Sequence, residues 1–243
     1  MTDHTRRIAL ITGGNKGLGF ETARQIGQQG HMVLLGARDP SRGEAAAASL
    51  RAEGIDARYL ALDLTERATI VAAAREIQAT YGRLDVLVNN AGAASPADGP
   101  VSSVDVASVR SVFEVNFFGT LEVIQAMLPL LKESTAGRVV NVSSTLGSLA
   151  LQSDPTWEFS PFKPTGYNTA KVALNMLTVH LAAELLDSGI KVNSVAPGYT
   201  ATDLTGGSGQ SVAQGAAASV RMALLPDDGP TGGFFSVNGT EPW

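Results

Sequence analysis

The chain has 243 residues, 44% hydrophobic and 17% charged, with 26 glycines and 11 prolines, a balance that suits one soluble α/β domain over residues 1–243. A formal net charge of −5 with no basic stripe argues against nucleic-acid binding, and the absence of cysteine excludes disulfides, thiolate catalysis and cysteine-held zinc. His4, His31 and His180 lie far apart and outside any ligand-spaced motif, so no metal is expected. The opening MTDHTRR precedes an apolar run too short for a signal peptide or a membrane span, which points to a cytoplasmic protein.

In chain order, short apolar runs at Ile8–Ile11, Met32–Leu35, Tyr59–Leu62, Val86–Val88, Val139–Val142, Val192–Val195 and Phe234–Val237 read as seven strands. Between them, Leu18–Gln29, Arg42–Ala52, Glu66–Thr80, Val104–Leu131 and Tyr167–Leu186 read as helices, several closed by glycine. This alternation, with strands apolar on both faces, predicts a doubly wound, seven-stranded parallel sheet with helices on both sides, the Rossmann arrangement. Two stretches break the pattern. Ser153–Pro164 is rich in proline and aromatics, and Thr205–Gly215 is rich in glycine and serine and reads as mobile; both are expected to shape a pocket.

Directly after the first strand comes Thr12-Gly13-Gly14-Asn15-Lys16-Gly17-Leu18-Gly19, leading into a helix. Glycines there let the backbone approach a pyrophosphate, and the helix N-terminus favours its charge. The second strand ends Gly36-Ala37-Arg38, with an alanine where an acid that binds the ribose of NAD is usual. Arg38, helped by Lys16, suits a 2′-phosphate instead, so NADPH/NADP is favoured over NAD, although Asp39 offers a ribose acceptor. Tyr167 and Lys171 stand four apart in a helical run, where phenol and ammonium share a face and the cation is expected to draw the phenol's pKa down.

The Thr-Gly-x-x-x-Gly-x-Gly spacing, Asn89-Asn90-Ala91-Gly92, Asn116, Asn141-Val142-Ser143-Ser144, Tyr167-x-x-x-Lys171 and Pro197-Gly198 occur in an order that resembles the short-chain dehydrogenase/reductase family. The resemblance implies that Ser144 holds a substrate carbonyl, Tyr167 protonates its oxygen, Lys171 binds the nicotinamide ribose and Asn116 holds a relay water. Ser143 is the lesser candidate. It further implies cofactor contacts at Gly13, Asn15, Lys16, Gly17, Leu18, Gly19, Arg38, Asp63, Leu64, Asn90, Ala91, Gly92, Tyr167, Lys171, Pro197, Gly198, Thr200 and Thr202.

Within the family the chain is similar to the NADPH-dependent carbonyl reductases, acting on a small carbonyl compound. An alcohol dehydrogenase, a 3-oxoacyl thioester reductase and a non-catalytic NADPH sensor stay open as alternatives. Ser144 and Tyr167 are 23 positions apart, which leaves room for an aromatic lip in which Trp157, Phe162 and Tyr199, with Phe159 and Leu204, are candidates for the substrate wall. The carbonyl reductase branch carries a longer insertion that packs where other members dimerise, and its shortness here leans toward a homodimer.

Overall fold

A computed structural model describes residues 6–243; His4 lies outside the described residues. Eight strands form one sheet in the order β3-β2-β1-β4-β5-β6-β7-β8. They are β1 (Ile8–Thr12), β2 (Met32–Ala37), β3 (Ala57–Ala61), β4 (Val86–Asn89), β5 (Arg138–Val142), β6 (Lys191–Val195), β7 (Phe234–Ser236) and β8 (Gly239–Thr240). The first seven run parallel, as expected from their alternation with helices. The eighth is an addition to the seven-stranded expectation. It turns back from β7 and pairs antiparallel through Phe235–Thr240 and Ser236–Gly239. Two residues flanked by glycine and asparagine leave no apolar run, so β8 carries no sequence signal.

The strands alternate between two cores. Ile8, Leu10, Leu34, Leu60, Leu87, Val139 and Val192 pack against α3 (Arg67–Tyr81), α5 (Thr120–Lys132) and the end of α7 (Thr165–Glu184). Ala9, Ile11, Val33, Leu35, Val86, Val88, Val140 and Val195 face α1 (Gly17–Gln28), α2 (Pro40–Ala52) and α8 (Val212–Ala223). Coverage on both faces explains why successive residues are apolar rather than alternating with polar ones.

The stretch expected as one helix over 104–131 is instead α4 (Val106–Phe113), a π-helical turn (Glu114–Gly119) and α5. Within that wide turn the Asn116 side-chain amide donates to Val112 O at 2.8 Å. In an α-helix the backbone amide of residue 116 would fill that place. The Thr205–Gly215 stretch, read as mobile, is hydrogen-bonded in the structure. Ala201 N donates to Gln210 O at 2.9 Å, Thr205 Oγ1 to Thr200 O at 2.6 Å, and Ser211 and Gln214 form a capping box that starts α8.

At the amino edge of the sheet, Asp85 accepts from Ile8 N at 2.8 Å and from Ser134 Oγ at 2.6 Å. His31 opens the way into β2 there, half-buried. Burial and the nearby Arg7 guanidinium hold its pKa below the usual histidine value. His180 is exposed on α7. No helix among the described residues is long and apolar enough to cross a membrane, and they contain no cluster of metal-ligating side chains.

Candidate active site

The carboxyl ends of β1, β4, β5 and β6 converge on one edge of the sheet, the side on which doubly wound proteins bind ligands. The loop after β1 is fixed from β4. Thr12 Oγ1 accepts from the amides of Asn90 and Ala91, both at 3.0 Å, and Asn90 Nδ2 donates to Thr12 O at 2.9 Å. A side chain at Gly19 would place its Cβ 2.3 Å from Gly13 O and 2.5 Å from Asn90 Nδ2, so only glycine lets α1 start this close to the loop. The predicted Gly13, Asn15, Gly17 and Leu18 all lie on this strand-to-helix turn, retaining partial exposure.

Register brings the end of β2 alongside. Thr12 pairs with Gly36, and Gly14 N donates to Gly36 O at 3.1 Å, so Arg38 emerges beside the glycine loop. Arg38 is exposed and has no hydrogen-bond or ion-pair partner among the described residues. Asp39 is otherwise engaged, because its carboxylate caps α2 by accepting from Arg42 N at 3.1 Å and stands 3.6 Å from Arg42 Nε. Lys16 is not free: its ammonium pairs with the Asp203 carboxylate on the loop after β6. Lys16 and, more weakly, Arg42 hold the Asp203 carboxyl below the usual range. Neither Asp203 nor Arg42 carries a motif that would single it out in the sequence.

Asp63 Oδ1 accepts from Thr65 N at 3.0 Å and from Thr65 Oγ1 at 2.8 Å, and Leu64 is buried beside Gly119. Pro197 and Gly198 follow β6. Thr200 is buried and turns its hydroxyl into its own loop, donating to Gly198 O at 3.1 Å, whereas Thr202 lies against Gly17, its methyl 3.7 Å from where a Cβ would sit.

The predicted tetrad does come together. Ser144 caps the 3-10 turn Thr145–Gly147 after β5, accepting from Leu146 N at 3.2 Å, and its hydroxyl faces the Tyr167 phenol, whose pKa it draws down. Ser143 is buried behind it and points to Lys171 O at 3.4 Å, which leaves Ser144 as the serine at the cleft. Lys171 is 4% exposed; its Nζ donates to Val142 O at 2.9 Å and sits 5.6 Å from the centre of the Tyr167 ring. A Cβ on Gly92 would lie 2.9 Å from Asn116 Oδ1 and 3.5 Å from Lys171 Nζ, so these two side chains reach one point beneath Gly92.

The electrostatics depart from the sequence expectation. Burial pushes the Tyr167 phenol up to about 12, outweighing the downward pull of the Ser144 hydroxyl, even though the residue as a whole keeps partial solvent contact. Lys171 does not reverse this, because its own burial pushes it down to about 8 and its ammonium is bonded to Val142 O. A protonated phenol beside a serine hydroxyl can deliver a proton to an oxygen held between them.

In the insertion before α7, Trp157 and Phe159 meet edge to face at 5.5 Å, and Phe159 approaches Tyr199, on the loop after β6, at 6.3 Å. Phe159 therefore joins the two predicted wall residues, while Phe162 is 58% exposed and stands outside that aromatic row. Leu204 is also exposed.

A doubly wound α/β sheet with a glycine cradle and a Ser–Tyr–Lys–Asn cluster at its carboxyl edge defines a class of dinucleotide-dependent fold. The chain belongs to the short-chain dehydrogenase/reductase family of oxidoreductases, whose short chain dehydrogenase profile matches residues 7–213. It is 36% identical over 226 residues to the short-chain dehydrogenase anuI of Penicillium roqueforti, covering 90% of this chain and 89% of that one. It is 34% identical to human carbonyl reductase (NADPH) 1, covering 97% and 98% of the two chains. That alignment spans 276 positions, more than the 243 residues here, so the human enzyme carries segments without a counterpart in this chain. Among solved structures, a gluconate 5-dehydrogenase from Burkholderia cenocepacia in complex with NADP and tartrate superposes with a TM-score of 0.83 at 27% identity, covering 97% and 96%.

Proposed function

We propose that the protein is an NADPH-dependent carbonyl reductase, a single domain acting on a small ketone or aldehyde in the cytoplasm. The observation that carries this reading is the meeting of Ser144, Tyr167, Lys171 and Asn116 beside a cradle that Gly19 keeps open. Support for the phosphorylated cofactor comes from the unpartnered Arg38, from the commitment of Asp39 to capping α2, and from the NADPH and NADP in the relatives' names. The cradle at Gly19 and the unpartnered Arg38 beside it together suit a dinucleotide with a 2′-phosphate. When bound, NADPH supplies the hydride.

The chain's own part is to hold the substrate oxygen and deliver a proton. Ser144 holds the carbonyl oxygen by donating a hydrogen bond, and Tyr167, which keeps its proton at neutral pH, gives that proton to the same oxygen. Lys171 remains largely cationic at neutral pH; it holds the ribose hydroxyls and, with Asn116, lines the route by which the phenol regains a proton. Gly13, Asn15, Gly17 and Leu18 hold the pyrophosphate with their turn, Asp63 and Leu64 flank the adenine, and Pro197, Gly198, Thr200 and Thr202 shape the carboxamide end. Trp157 and Tyr199, joined through Phe159, form the substrate wall and favour aromatic over charged compounds. Phe118 and Met176, exposed on the packed π-turn and α7, support a homodimer.

The test is the loss of NADPH absorbance with acetophenone, benzaldehyde, a quinone and an acyl thioester. Tyr167→Phe should abolish reduction and leave NADPH binding in place. Turnover of none of these by the wild type, or substantial activity in Tyr167→Phe, would overturn the reading.

A further inference from the structure

Helix α7 presents both Tyr167 and Lys171, so the position of its first turn sets where the phenol stands. That turn has no cap of its own. The residue before it, Pro164, has no side chain able to accept a hydrogen bond, and the first amides of any helix lack partners within it. All three open amides are taken by two adjacent residues from the loop after β4. Thr165 N donates to Gly99 O at 3.0 Å, Gly166 N to Asp98 Oδ1 at 2.9 Å, and Tyr167 N to Asp98 Oδ2 at 2.8 Å. The next amide, Asn168 N, bonds back to Pro164 O at 3.0 Å and begins the helix proper.

Both carboxylate oxygens are thus spent on neighbouring amides, a charge-assisted pair placed where a helix favours negative charge. The fit leaves no slack. A Cβ at residue 166 would lie 3.0 Å from Asp98 Oδ2 and 3.2 Å from Val109 Cα, so the helix start is pressed against both the carboxylate and α4. Thr165 Oγ1 adds a 2.7 Å bond to Gly99 O.

The same loop also grips the other parts of the cluster. Five residues before Asp98, Ala93 O accepts from Asn116 Nδ2 at 2.7 Å, and Ala93 N lies 3.4 Å from Asn116 Oδ1. Asn90 and Ala91, earlier still, hold Thr12 at the glycine loop. One short segment therefore fixes the cradle, the asparagine and the start of the tyrosine's helix relative to one another.

We infer that Asp98 is a positioning residue for catalysis: it sets the height of Tyr167 against Ser144 and Asn116 by holding the Gly166 and Tyr167 amides. The inference rests on the proposed reductase reading. Both Asp98 carboxylate oxygens are committed to the Gly166 and Tyr167 amides, so its loss should appear in proton delivery rather than in cofactor affinity.

The experiment compares Asp98→Asn and Asp98→Ala with the wild type, using NADPH with acetophenone and benzaldehyde. It reads kcat, the NADPH Kd by fluorescence, and the solvent deuterium isotope effect on kcat. Asp98→Ala should lower kcat about a hundredfold, the scale of an ångström-sized misplacement of a reacting group. Asp98→Asn keeps one acceptor and should lower it about tenfold, as for one lost charge-assisted bond. In both, the isotope effect should rise as proton delivery becomes slower, and the NADPH Kd should stay within about twofold of wild type, well below the tenfold that 1.4 kcal/mol represents.

A wild-type kcat and isotope effect in Asp98→Asn would overturn the inference. So would a Kd that loosens in step with kcat. If Asp98→Ala fails to fold, Asp98→Asn decides alone. A wild type that reduces no carbonyl removes the underlying reading, whereas an active wild type, a silent Tyr167→Phe and an unaffected Asp98→Asn remove only the role of Asp98.

Discussion

Replacing Arg38 with aspartate offers the sharpest test of cofactor choice, because the side chain is exposed and partnered by nothing among the described residues. No internal hydrogen bond is lost, so the unfolding temperature should be unchanged. The effect on the cofactor follows from charge alone. Exposure sets the dielectric near that of water, where two unit charges about 4 Å apart interact by about 1 kcal/mol. A phosphate monoester carries between one and two negative charges at neutral pH, and Arg38→Asp turns attraction into repulsion. The expected loss is about 3 kcal/mol, or about a hundredfold in the NADPH Kd. NADH has no 2′-phosphate, so its affinity should hold or improve as the new carboxylate meets a ribose hydroxyl. Fluorescence titration with both cofactors at low and high salt would measure this, and salt should shrink the NADPH effect. Equal losses for NADPH and NADH would refute the assignment of Arg38 to the 2′-phosphate.

Two further outcomes concern pH. Lys171 is held near 8 by burial, so the rate of reduction should fall as pH rises through that value and the ammonium is lost; a flat profile from pH 7 to 9.5 would show that its charge is not needed. His31 has a folded pKa below 6.5, so above that pH it is neutral in both folded and unfolded chains and contributes no pH dependence. As pH falls below 6.5 the unfolded chain takes a proton that the folded chain refuses, and stability drops. His31→Asn should therefore lose less unfolding temperature than wild type between pH 7 and pH 5, and parallel losses would count against it.

Much of this architecture was legible because its signals are local. Seven strands announce themselves as apolar runs, and the glycine loop sits between a strand and a helix where its chemistry requires it. The tetrad residues are separated by up to 55 positions from Asn116 to Lys171, yet each lies in a short recognisable segment. What escaped depends on contacts distant in sequence. Asp203 is 187 residues from Lys16, and nothing in either segment announces their pairing. The upward shift of Tyr167 also escaped, since spacing places Lys171 on the same helix face but does not tell that its ammonium is bonded to Val142 O. Phe159 and Phe162 are both wall candidates by sequence, and the choice of Phe159 for the aromatic row was not legible there because the turns of an irregular insertion follow no period.

The wide turn at Glu114–Gly119 has a consequence for the whole rod in which it sits. Before it, α4 lies against α7; after it, α5 lies against α3 and buries Val123, Ile124 and Met127. Each residue of an α-helix advances the side chains by about 100°. The wide turn therefore works as a phase shifter, letting one continuous rod satisfy two neighbours whose apolar faces are out of step. Deleting a single residue there would swing α5 about a third of the way round its axis, turning Asn116's anchoring and the core contacts of Met127 into competing demands on one register.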